Sequence, residues 1–189
     1  EIEIKKCNNP IGKQDQYGCA LGGMNQIIFN SDDSVIHKSY NNDFTTFEKC
    51  LYLCYTGITR NANKILSIQS KNSNNKSKEN LELIKGVEEF EKNINSSSIK
   101  KTGPLLNKMW NIKKTMSDGV TVPEIDILYD KGIKSGSTGG KILGAGGGGF
   151  ILFYVPRNSQ EDFELKMKDE RFLDFKFEKH GTKIIFVEN

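Results

Sequence analysis

The sequence predicts an α+β fold, with helices packed on one face of an antiparallel sheet. Three observations support it. KCLYLCYTG (49–57) and GFILFYV (149–155) are short apolar runs rich in aromatic and β-branched residues, bounded by Gly or Pro, and read as buried strands. Segments with helical apolar spacing fill the interval between them. Finally, GGKILG and GFILFYV are joined by one alanine and three glycines, which leaves room for a hairpin and none for a crossover helix.

Taken in order, residues 1–8 read as the end of a helix, stopped at Asn8-Asn9-Pro10. Residues 12–23 predict a short helix closing at Gly22-Gly23. Asn25–Phe29 and Ser34–Lys38 form a strand pair around the turn Asn30-Ser31-Asp32-Asp33. Beyond Gly57, Ile58, Ala62, Ile65, Leu66 and Ile68 recur at near-helical spacing. KNSNNKSKEN (71–80) is polar and of low complexity, so it reads as a loop. Leu81, Ile84, Val87, Phe90 and Ile94 mark an amphipathic helix over 79–94. Leu105, Leu106, Met109, Trp110, Ile112 and Met116 mark another over 104–117, with Trp110 in the core and Lys113 and Lys114 on a solvated face. Pro123 opens a helix that runs to about Ser135. A helix over 159–169 and strands over Phe172–Glu178 and Thr182–Val187 complete the chain.

The bulk numbers narrow the function classes. The chain has 189 residues, with 36% apolar and 27% charged side chains and a net charge of +3. That fits a globular protein of one domain or one domain plus part of another. The 27 basic residues are dispersed among acids and asparagines, which argues against a nucleic-acid partner. No run approaches the roughly 20 apolar residues of a membrane span, so no membrane partner is expected. Cys7, Cys19, Cys50 and Cys54 lack CxxC spacing, and His37 and His180 stand far apart. Zinc is therefore not expected, and the cysteines read as reduced core residues of a cytoplasmic protein.

GAGGGG (144–149) places five glycines in six residues. It lacks the Lys-Ser/Thr ending of a Walker A loop and does not open a helix, so the usual nucleotide fingerprints fit poorly. On glycine count alone, a tight hairpin stands level with a loop that must approach an anion or another backbone.

The longer string Lys141-x-x-Gly144-Ala145-Gly146-Gly147-Gly148-Gly149-Phe150 resembles the third motif of the GHMP small-molecule kinases. That resemblance implies a glycine loop packed against nucleotide phosphates, with Gly144, Ala145, Gly146, Gly147 and Gly148 as cofactor-binding residues and ATP with Mg2+ as cofactors. Gly12-Lys13-Gln14-Asp15-Gln16-Tyr17 resembles the sugar-kinase branch. Read alone, Asp15 is an ordinary helix-start aspartate; the resemblance makes it the general base beside the substrate hydroxyl. A hydroxyl attacking a γ-phosphoryl group needs such a proton acceptor.

Four more strings resemble D-glycero-D-manno-heptose 7-phosphate kinases: Ala20–Asn25, Tyr55–Ala62, Lys113–Val120 and Pro123–Asp126 followed by Gly139-Gly140-Lys141. Fucokinase-type relatives share much of this pattern. The resemblance implies a sugar phosphate as substrate, touched by Gln14, Gln16, Tyr17, Gly22, Gly23, Thr56 and Arg60. For Arg60, a bidentate phosphate contact and a plain surface position remain equal readings. Thr56 could instead cap the following helix.

The resemblance also shows a departure. The family's Pro-x-x-x-Gly-Leu-Gly-Ser-Ser phosphate loop does not occur in these residues. The expectation is a fragment, a separately encoded half or a truncated product. Residues 1–40 would be a remnant of the family's N-terminal domain and 41–189 its C-terminal domain. Alone it would have little activity and would need a separate N-terminal half as partner. The alternatives are a non-catalytic, partner-dependent domain and a fucokinase- or galactokinase-type enzyme.

Overall fold

The computed structural model describes residues 6–7, 11–59, 66, 76–96 and 98–186. They fall into two compact units, divided after Glu48 and again after Asp174. The expected helix end at 1–8, the helix after Ile58 and the start of the polar stretch at 71–80 lie largely outside the described residues.

The larger unit, mainly Lys49–Asp174, holds among the described residues a four-stranded antiparallel sheet and four α-helices. Strand β3 (Leu51–Tyr55) is followed by α3 (Ser77–Asn95), α4 (Thr102–Lys114) and α5 (Pro123–Lys134). Then come β4 (Gly139–Ile142), β5 (Phe150–Tyr154), α6 (Gln160–Lys166) and β6 (Arg171–Leu173). The sheet order is β4-β5-β3-β6. Helices between the first and second strands and between the third and fourth make this a split βαβ arrangement. Register is fixed across the centre, where Leu53 pairs with Leu152 on one side and with Leu173 on the other.

Local sequence explains the elements. Val122 is extended and Pro123 opens α5, where its missing N–H has no intrahelical partner to lose. Pro156 ends β5, and Val155 N–H donates to Cys50 O at 2.7 Å just before it. The core gathers Cys54, Trp110, Val120, Ile125, Tyr129, Ile142, Ile151, Phe153, Val155, Phe163 and Met167. Aromatic rings run through it from Trp110 to Tyr129 (6.2 Å), Phe153 (5.8 Å), Phe163 (5.7 Å) and Phe172 (5.8 Å). The Tyr129 hydroxyl donates to Asn107 Oδ1 at 2.8 Å and accepts from Gly140 N–H at 3.1 Å, which ties α5 to both α4 and β4.

Helix α3 corrects part of the apolar-stripe reading: Ile94 is buried and Phe90 half-buried, as the stripe predicts. Leu81, Ile84 and Val87 are exposed. The face that meets α4 instead carries Gly86, which lies against the Met109 side chain. A small residue lets the helix axes approach, and that contact outweighs the apolar periodicity.

The smaller unit comprises Ile11–Glu48 and Phe175–Asn189. Its described elements are α1 (Gln14–Leu21), the hairpin β1 (Met24–Phe29) and β2 (Val35–Tyr40), and the single turn α2 (Thr45–Glu48). The hairpin is antiparallel, with Met24 opposite Tyr40 and Phe29 opposite Val35. Asp32 Oδ1 accepts from the Ser34 amide and hydroxyl, an Asx turn, and Asp33 follows it at φ 65°. The sequence does not predict α2, which Asp43 starts by accepting from Thr45 N–H at 2.9 Å.

The C-terminal strands are largely corrected. Only Arg171–Leu173 pairs into the sheet, and residues 182–186 form no strand. Ile184 and Ile185 are 85% and 95% exposed, so no neighbouring element rewards their β-propensity. Two of the four cysteines, Cys7 and Cys19, are exposed and not in a core; all four are free thiols. Among the described residues no helix is long and apolar enough to cross a membrane.

The tightest helix–sheet contact gives the first test. A Cβ on Gly139 would overlap the carbonyl oxygen of Gly103 at the start of α4. Gly139→Ala is expected to cost about 1–3 kcal/mol. Gly18→Ala, in open space on α1, should cost nothing and gain up to about 1 kcal/mol. Urea unfolding of both variants checks this, and equal midpoints would contradict the contact.

Candidate active site

In the larger unit the glycine loop joins β4 to β5 and is held by two neighbouring loops. Gly147 N–H donates to Val120 O at 2.8 Å and Gly149 N–H donates to Ile58 O at 2.9 Å. Thr56 N–H and the Thr56 hydroxyl both donate to Gly149 O at 2.9 Å. A Cβ on Gly146 would sit 2.5 Å from Val120 O, and one on Gly148 would sit 2.6 Å from Ile58 O. No side chain fits at either position. The amides of Gly146 and Gly148 have no hydrogen-bond partner among the described residues.

Two lysines stand by this loop. Lys113, in the last turn of α4, donates from Nζ to Gly144 O at 2.6 Å. Lys141 lies on β4, next to the core residue Ile142. Both are half-buried, and neither forms a salt bridge among the described residues. Burial, reinforced by the Lys141 cation, pushes the Lys113 ammonium down to about 8. Burial lowers Lys141 as well. The nearby loop over Ser117–Val120 contains another orphan: the buried Ser117 hydroxyl has no partner among the described residues. This corrects the reading of Lys113 as part of a solvated face. Trp110 is fully buried, and position 113 lies one turn further along α4. That spacing was the available signal.

The smaller unit carries the carboxylate. Asp15 lies in the first turn of α1, exposed, between Gln14 and Gln16. Tyr17 packs edge-on against Phe29 at 5.6 Å, fixing α1 on its hairpin. Lys13 pairs with Asp33 at 2.7 Å, and Gln14 lines a recess with Lys13, Phe29 and Asn30. Gly22 and Gly23 have φ of 64° and 65°. Gly23 N–H donates to Glu178 O at 2.7 Å, and a Cβ on Gly22 would strike the backbone at His180-Gly181. These glycines border a cleft of about 580 Å³ that also includes Tyr40, Asp43, Glu48 and Phe177. Asp15, Gln16 and Tyr17 do not line it.

Asp15, Gln14, Gln16, Tyr17, Gly22 and Gly23 thus belong to the smaller unit, and Thr56 and Gly144–Gly148 to the larger. Arg60 lies outside the described residues.

Comparison with known proteins accounts for this architecture. Residues 88–172 match the family described as GHMP kinases C terminal. Within the larger unit, residues 88–172 are therefore GHMP kinase C-terminal domain sequence. The chain is 30% identical over 190 residues to a D-glycero-α-D-manno-heptose 7-phosphate kinase of Campylobacter jejuni, covering 97% of this chain and 56% of that one. It is 31% identical over 158 residues to an L-fucokinase/L-fucose-1-P guanylyltransferase of Bacteroides fragilis, covering 79% of this chain and 16% of that one. A solved Campylobacter jejuni structure described as a sugar kinase aligns with a TM-score of 0.66 and 25% identity, over 95% of this chain and 53% of that one. Leishmania major mevalonate kinase shares the fold, with a TM-score of 0.58 and 15% identity over 74% of this chain and 43% of that one. The chain spans about half the length of the heptose-phosphate kinase it matches.

The Lys113 environment gives a pH-dependent test. The unfolded chain keeps this proton up to the ordinary lysine value near 10.5, and the folded chain releases it near 8. Between those values the unfolded state binds more protons, so stability rises with pH. Lys113→Met removes that rise. Urea midpoints measured from pH 8 to pH 10 should climb more steeply for the native sequence than for the variant; parallel curves would refute the assignment.

Proposed function

We propose that the protein works as the C-terminal part of an ATP-dependent sugar kinase that phosphorylates a hydroxyl of a sugar phosphate, D-glycero-D-manno-heptose 7-phosphate being the favoured substrate. The observation that carries this reading is the glycine loop, whose backbone is pinned on both flanks while the amides of Gly146 and Gly148 stay free to donate. Such amides suit phosphate oxygens and cost little reorganisation when charge develops. Identity to the heptose-phosphate kinase over 97% of the chain points the same way.

ATP supplies the phosphoryl group, and Mg2+ offsets its charge. Among the described residues no three His, Cys, Asp or Glu side chains cluster as a metal site. Mg2+ would be held mainly by the phosphates and water. Asp15 accepts the proton of the attacking hydroxyl. Gln14, Gln16 and Tyr17 place the sugar, with Gly22, Gly23, Thr56 and Arg60 completing its contacts. Gly144–Gly148 receive the nucleotide phosphates. Residues 1–40 represent the family's N-terminal domain and 41–189 its C-terminal domain, and the reaction runs in the cytoplasm. The 189 residues contain no Gly-Leu-Gly-Ser-Ser loop. Full turnover therefore requires a polypeptide that supplies one.

The 31% identity to the fucokinase/guanylyltransferase favours a second reading, in which the acceptor is an unphosphorylated sugar such as L-fucose. Paired assays with L-fucose and the heptose phosphate separate the two.

The test is phosphoryl transfer to heptose 7-phosphate, with and without an added N-terminal half. The 189 residues alone should stay well below about 1 s⁻¹, the low end of ordinary turnover. The supplemented reaction should lose about 10²–10⁴-fold in rate with Asp15→Asn. Full activity in that variant, or rapid turnover by the chain alone, would overturn the proposal.

A further inference from the structure

Lys113 and Lys141 carry charges that the fold leaves uncompensated. Half-buried cations are ordinarily matched by a carboxylate, because removing an ammonium from water costs several kcal/mol unless a partner replaces the solvent. Other lysines here follow that rule: Lys114 faces Asp126 at 3.5 Å and Lys131 faces Glu170 at 2.6 Å. By contrast, Lys113 reaches only a carbonyl oxygen of the glycine loop, at 2.6 Å, and Lys141 has no partner among the described residues. Helix α4 packs along β4, and the Lys141 cation disfavours the charged form of Lys113. Structural needs alone do not explain two like charges brought together at a loop with free amides at Gly146 and Gly148 and an orphaned Ser117 hydroxyl nearby.

We propose that Lys113 and Lys141, with the free amides of the glycine loop, form a receptor for a phosphoryl group, the anion that the fold itself does not supply. Lys141 is the direct ligand. Lys113 is the positioning residue: its bond to Gly144 O holds the loop, and its charge adds to the field. The chemistry is that of a phosphate mono- or diester oxyanion, which a lysine ammonium binds as a compact point charge. The anion is either the polyphosphate of the nucleotide or the phosphate already on the sugar. The inference deepens the kinase reading, and its choice of ligands rests on that reading.

The test is calorimetric titration of the 189-residue chain at pH 7 with sodium pyrophosphate as probe. Binding is expected, weakened at least tenfold in Lys141→Met and in Lys113→Met, retained in Lys141→Arg, and unchanged in Lys108→Met, an exposed lysine on the same helix. The Lys141→Met and Lys141→Arg pair decides the matter should Lys113→Met fail to fold. No binding by the native chain, or equal affinity in Lys141→Met, overturns the proposal. Parallel titrations with ATP and with heptose 7-phosphate identify the source, since the compound that loses affinity in Lys141→Met is the one seated there. Lysine-dependent pyrophosphate binding, with neither organic phosphate bound, would sustain this site and sink the kinase reading. Normal Asp15-dependent turnover, with both affinities untouched by Lys141→Met, would do the reverse.

Discussion

Three backbones converge at the glycine loop, at a spacing that excludes a side chain. A methyl group on Gly146 or Gly148 would come within 2.5 or 2.6 Å of a carbonyl oxygen, on Val120 and Ile58 respectively. Ordinary contacts to a Cβ begin near 3.4 Å. Three backbone hydrogen bonds fasten the loop, through the amides of Thr56, Gly147 and Gly149. At a net worth of about 1 kcal/mol each, they total about as much as the 1–3 kcal/mol that one intruding methyl group costs. A single added carbon can therefore offset most of what holds the loop in place. The glycine run is a packing requirement of the larger unit whatever ligand it meets.

From that constraint the site's electrostatics follow. Because the loop lies flat against its neighbours, the Gly144 carbonyl comes within reach of Lys113. On β4, Lys141 brings a second ammonium partly out of water. No carboxylate among the described residues answers either cation, so the local field is positive in a protein whose net charge is only +3. Asp15 belongs to the other compact unit, on the first turn of a helix fastened by Tyr17 to its hairpin.

Local chemistry made much of the fold legible. The Asx turn at Asp32, the proline start of α5 and the glycine-joined strand pair each depend on residues a few positions apart, and each forms where the sequence places it. What depended on distant partners was harder to read. On α3 the fit of Gly86 to Met109, which no periodicity reports, leaves Leu81, Ile84 and Val87 exposed, while Ile94 of the apolar stripe is buried. The apolar residues Ile184, Ile185 and Phe186 have strand propensity but no described strand beside them. Lys113 looked solvated because lysines usually are; its spacing from Trp110 hinted otherwise, and the path of the glycine loop gives it its setting. At the site, the glycine string was readable as a loop under steric constraint, whereas the role of Asp15 came from resemblance.

A crystal structure of the chain with a non-hydrolysable ATP analogue tests most directly the claim that the glycine loop is a phosphate-facing surface. The account predicts phosphate oxygens within about 3 Å of the Gly146 and Gly148 amides, with the Lys141 ammonium turned toward them and the loop backbone unmoved. An analogue seated elsewhere, with those amides still unpaired, would contradict it.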